Sequence, residues 1–145
     1  MVLIINLTAA AFLAGLMWFT QIVHYPLFTF IEKKSFIGYS IHQLKKTNYL
    51  FYIPMLVEGA FSILFMFDYP STISSVVPFL CLCISTAVWL VSFGKIAPLL
   101  DKLNDEGLDA EIVEQLVKLN RIRTICWTLK VLILIYCMGV MIFVL

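Results

Sequence analysis

Glu58, in the stretch PMLVEGAF, is the only charged residue between Lys46 and Asp68, and Lys130 is the only one after Arg123. A carboxylate, an ammonium and a guanidinium set among apolar residues have a definite chemistry. The first can move a proton, and the other two can stabilise an oxyanion or hold a carboxylate. In a lipid environment each charge is costly unless paired, so each is a functional candidate. Glu58 is expected to be either protonated or ion-paired, with Lys130 as the candidate partner. Glu58, Arg123 and Lys130 are the candidate catalytic residues.

Steps of three and four bring residues to one helix face. On that rule Asn120, Arg123, Trp127, Lys130, Leu134 and Cys137 share a stripe, and Phe51, Met55, Glu58 and Ser62 share another. Ser85, Trp89 and Ser92 form a third, and Ala14, Trp18, Gln21 and Tyr25 a fourth. Packed inward, the four stripes predict a polar and aromatic pocket, with Trp18, Gln21, Tyr25, Trp89, Asn120 and Trp127 as its substrate-binding wall. Each residue type also has an ordinary use in a membrane helix. Tryptophans form interfacial belts, lysine snorkels, glutamine joins helices, and arginines flank spans on the cytoplasmic side.

His24, in QIVHYPLF (21–28), and His42 are the only histidines. Histidine is the commonest metal ligand and can relay protons. With Glu58 they would make the two-His, one-carboxylate set of non-haem iron, and as a pair they could ligate haem. Depth opposes the iron set, because Glu58 lies about nine residues, roughly 13 Å by helix rise, inside its run while His24 is at a rim. His24 also falls about 60° round the helix from Gln21, on the neighbouring strip. His24 and His42 are therefore the metal candidates, with the cofactor left open. Cys81, Cys83, Cys126 and Cys137 all fall in apolar runs and read as small buried apolar residues.

Stepping outward to the elements, 62% of the 145 residues are hydrophobic and 13% charged, far from the balance of a soluble domain. Crossing a bilayer takes about 20 apolar residues. Four runs qualify: 3–23, 49–67, 73–97 and 124–145. They are too long and continuous for the alternating strands of a barrel. The first lacks the basic lead of a cleaved signal. The expectation is an all-α, four-transmembrane-helix up-down bundle, one domain over 1–145.

Nine of the ten Lys and Arg fall in the segments 24–48 and 94–123, while 68–72 and both termini have none. The positive-inside rule then puts those segments in the cytoplasm and both termini outside, in the cell's inner (plasma) membrane. Two short amphipathic helices are expected on the cytoplasmic side. One spans 35–47, with Ser35 as N-cap; the other begins after Asp109 and, with no breaker before the fourth run, can be continuous with it. Pro26 is expected to end or kink the first helix, and NDEG (104–107) to break the third. Partners implied are the bilayer, anionic headgroups near the lysine-rich strip, and a lipophilic small molecule. Nothing points to nucleic acid, and a homo-oligomer is compatible with the pattern.

Several stretches resemble a family of small bacterial four-helix membrane proteins with no established activity. These are WFTQIVHYPLF, FIGYSIHQLKKT, PMLVEGA and LVKLNRIRTICWTLK. The matching positions are Gln21, His24, Tyr25, Pro26, Tyr39, His42, Pro54, Met55, Glu58, Asn120, Arg123, Thr124 and Trp127. Where that pattern has a histidine after the helix-3 proline, this chain has Leu100, which weakens any three-histidine metal site. Size and layout are also similar to anthrone-oxygenase-like membrane proteins, by analogy only. Three functions follow as expectations. The first is a pocket for a lipophilic molecule, as binding site or redox or oxygenase-type enzyme. The others are a non-enzymatic membrane subunit or assembly partner, and a small oligomeric transporter.

Overall fold

The structure is a computed structural model that describes residues 1–144, without the side chains of Leu44, Lys45, Asn48 and Val144. The Leu44 and Lys45 members of the expected amphipathic and basic strips therefore lie outside the described residues. All regular structure among those residues is helical. Helix α1 (Val2–Phe19) runs on through a π turn (Thr20–His24), a short α turn (Tyr25–Leu27) and a 3-10 turn (Phe28–Phe30). Helix α2 is Lys33–Phe65 and α3 is Val76–Val91. A second π turn (Ser92–Ile96) leads from α3 into α4 (Ala97–Glu106), and α5 is Ala110–Val144.

Three of these runs, Val2–Phe30, Val76–Glu106 and Ala110–Phe143, are long and apolar enough to cross a membrane. The apolar half of α2, Tyr49–Phe65, is shorter. The helices pack as a ring, in which α1 touches α2 and α5, and α3 touches the same two. The apolar side chains are distributed inside out. Large residues such as Phe12, Ile53, Leu90 and Ile135 face outward on all four helices, while Asn6, Glu58, Ser62, Asn120 and Lys130 are buried. An outward apolar surface of this extent needs another apolar phase or partner to cover it.

One expectation about boundaries changes. The amphipathic segment 35–47 is not a separate helix, since α2 continues from Lys33 through Pro54 to Phe65. Nothing between Tyr39 and Ile53 breaks a helix, so propagation costs less than ending and nucleating again. Ser35 is inside the first turn, not the cap; Glu32, extended at φ −62° and ψ 135°, precedes the helix. Segment 109–120 likewise continues without interruption into the fourth apolar run. Asp109 does cap it, its Oδ1 accepting the Glu111 and Ile112 amides at 2.8 and 3.2 Å.

The break between α4 and α5 rests on Gly107, at φ +89° and ψ −170°. That conformation is almost closed to residues with a Cβ. Gly107→Ala should cost about 1–3 kcal/mol of stability, measured by thermal or denaturant unfolding in detergent. Gly38→Ala, inside α2 with nothing within 4 Å of the added carbon, should leave stability unchanged or raise it by up to about 1 kcal/mol.

Candidate functional site

Both π turns have one local cause. Thr20 and Ser92 each stand six residues before a proline, Pro26 and Pro98. A proline within a helix has no N–H, and its ring collides with the carbonyl four residues back. Here the residue before each proline, Tyr25 or Ala97, donates instead to the carbonyl five back, at Thr20 or Ser92. The widened turn makes room for the ring. The Thr20 and Ser92 hydroxyls donate back to the Leu16 and Val88 carbonyls at 2.8 and 2.7 Å, a bond that favours bending. The helix runs on past Pro26 through a short α turn and a 3-10 turn, and ends at Phe30.

Between the two π turns lies a cavity of about 290 Å³. Thr20, His24 and Tyr25 line it from the first turn, Ser92, Phe93 and Ile96 from the second, and Tyr39, Gln43, Tyr52 and Met55 from α2. Its wall is mostly apolar and aromatic. The Tyr52 and Phe93 rings stack at 5.7 Å and 8°, and Phe28 meets Tyr39 and Phe36 edge-on. Two polar links hold the surrounding helices: the Gln43 amide donates to His24 Nε2 at 2.5 Å, and Ser40 donates to Asn104 Oδ1 at 2.5 Å. π turns of this kind occur often at functional sites.

Arg123 reaches this cavity from α5. It is only 6% exposed. Among the described residues it makes no ion pair, and its Nε has no hydrogen-bond partner. The Tyr25 and Tyr52 phenols are its electrostatic neighbours.

Glu58 and Lys130 belong to a different place. Both are fully buried and paired. Glu58 Oε1 accepts from Lys130 Nζ and from the Ser62 and Ser85 hydroxyls at 2.7 and 2.8 Å. The ammonium also donates to Ser62 and Ser85 at 2.6 and 2.7 Å, which uses all three of its donors. Asn6 Nδ2 adds a link from α1 to Ser62 at 3.3 Å. All four packed helices meet in this plug. The Trp127 ring lies 5.7 Å from Nζ, and buried Met55 and Trp127 stand one turn before Glu58 and Lys130, on the cavity's side.

The expected single pocket is thus two sites. Of the three catalytic candidates only Arg123 lines the cavity; Glu58 and Lys130 do not. Among the wall candidates Tyr25 lines it, whereas Trp18, Gln21, Trp89, Asn120 and Trp127 do not. Trp18 is an outer-surface indole, 45% exposed, bonded to Thr128 at 3.1 Å. Asn120 donates to Gln21 Oε1 at 2.9 Å and to the Met17 carbonyl at 3.2 Å, joining α5 to α1. Trp89 packs on Gly59, where an added Cβ would meet its ring at 3.0 Å. His24 lines the cavity, but His42 is exposed on α2. No group of three or more His, Cys, Asp or Glu suited to a metal occurs among the described residues.

Thr20 and Asn6 are absent from the sequence stripes, and Ser92 stands in one without its part in a π turn. The equal spacing of Thr20 and Ser92 to their prolines carries the signal for both turns. Asn6, a lone amide in an apolar run, was itself a signal. Comparison with family models, curated proteins and solved structures gives no match.

The plug has a direct test. Lys130→Met alone leaves a buried carboxylate without its cation and should cost about 3–5 kcal/mol. Adding Glu58→Gln removes the stranded charge and should restore most of that loss. Denaturant unfolding in detergent would show it, and a double variant no better than the single would refute the pairing as the source of the cost.

Proposed function

We propose that the chain is a four-span integral membrane protein of the inner (plasma) membrane, with both termini outside the cytoplasm, whose cavity binds a lipophilic small molecule. The cavity carries this reading. Its wall is mainly aromatic and aliphatic, with polar groups from Thr20, His24, Gln43, Ser92 and Arg123, and it lies at the end of the bundle where the lysines and arginines concentrate. Small-molecule sites combine these features, an apolar wall with placed polar groups. The inside-out distribution of side chains supports the membrane setting, and the charge asymmetry supports the orientation. The apolar part of α2 supplies the remaining span. The resemblance to small four-helix membrane proteins, carried by scattered positions, implies the same layout.

Binding in the cavity is favoured over a purely structural role because the plug already joins all four helices without it. A protein needing only a scaffold has no use for a second, hollow polar site. Glu58 and Lys130 are then stabilising residues, and the ligand meets Arg123, His24 and Tyr25.

Filling the cavity should weaken binding. Leu100→Trp places an indole into the lining and should weaken binding of the neutral probe 1-naphthalenemethanol by about tenfold. The measurement is calorimetry in zwitterionic nanodiscs, with empty discs as reference. Equal affinity in a folded variant would refute the cavity as the site. Orientation has its own check. Ser71→Cys should react with an impermeant maleimide in intact cells, and Asp105→Cys only after lysis.

A further inference from the structure

We infer that the cavity selects a ligand carrying a single negative charge on a compact head, a carboxylate in the simplest case, which Arg123 holds while the tail lies among the aromatic rings. This deepens the binding reading above and rests on it. The argument begins with the carboxylates of the chain itself. There are nine Asp and Glu. Eight are exposed, and the ninth, Glu58, is committed to Lys130. None lines the cavity. Among the described residues Arg123 therefore has no anion partner, although burial of an unpaired guanidinium is among the costlier placements a side chain can have.

The charge count sets the head. Among the described residues Arg123 is the one Lys or Arg on the cavity wall. One fixed cation is neutralised by one negative charge, and a phosphate monoester would leave the second charge buried and unmatched. The guanidinium fork offers parallel N–H donors that match a carboxylate edge. Tyr25 and Tyr52 stand beside it as further polar neighbours. The stacked Tyr52–Phe93 pair and the Phe28 cluster then supply flat apolar surface for the remainder of the ligand.

The test compares three probes of one skeleton in zwitterionic nanodiscs: 1-naphthoate, 1-naphthalenemethanol and 1-naphthyl phosphate. The native protein should bind the carboxylate about 10–100-fold more tightly than the alcohol, and more tightly than the phosphate. Arg123→Gln should erase the preference while the alcohol still binds, and Arg123→Lys should keep part of it. The comparison among probes on the native protein stands even if a variant does not fold. Equal binding of alcohol and carboxylate would overturn the inference and leave the cavity reading intact. A preference for the phosphate would overturn the single-charge assignment. Binding of none of the three would overturn the cavity reading and the inference with it.

Discussion

The buried pair of Glu58 and Lys130 is the constraint from which the rest of the bundle follows. On insertion scales a charged side chain at the centre of a helix in a membrane costs about 2.5–3.5 kcal/mol. Two such residues are tolerable only where they meet, and meeting fixes the rotation of α2 against α5. The ammonium's other two donors require acceptors, which Ser62 and Ser85 provide. Ser85 brings in α3, and Asn6 brings in α1 through Ser62. Hydrophobic burial does little to choose among packings when the surroundings are themselves apolar. Polar contacts of this kind then decide which helix faces which.

The cavity comes from a second constraint, the placing of prolines. A π turn carries one residue more than an α turn, so each shifts the phase of the helix beyond it. In α1 the buried face runs through Leu3, Asn6, Ala10, Leu13, Met17 and Thr20, and after the π turn Tyr25 and Phe28 take it over. The helices widen there, and space opens between them. Below, the plug draws the helices together; above, the two proline-directed turns hold them apart. One bundle is closed at one level and hollow at another for reasons that are local in sequence.

The same phase shift explains which parts of the site were legible in the sequence. The stripe Asn120, Arg123, Trp127, Lys130, Leu134 and Cys137 is buried throughout, because α5 is an uninterrupted helix and steps of three and four hold along it. The α2 stripe from Met55 to Ser62 is buried for the same reason. In α1 the stripe was misplaced by one residue. The stripe places Trp18 inward, yet Met17 is buried and Trp18 is on the outside. Extending a regular period from Trp18 through Gln21 reached Tyr25, which lines the cavity only because the π turn adds a residue. Regular periodicity carried no record of that turn. The helix–helix contacts that separate Gln21 from the cavity and bring His24 to it lie in tertiary packing, which a single-helix pattern cannot express.

The two buried cations of α5 show how one helix serves two ends. Lys130 and Arg123 are seven residues apart on one face, with Trp127 between them. One sits in a fully buried site where all three of its donors are used. The other sits at a cavity wall with its guanidinium unmatched among the described residues. If both were structural, the cheaper solution at position 123 would be an apolar side chain, since a good hydrophobic replacement for a buried ion is often neutral or stabilising. A lysine would also serve poorly, because a strongly hydrated point charge loses more on burial than the delocalised guanidinium. On the binding reading proposed above, an anion from outside the chain would offset the cost of holding that charge.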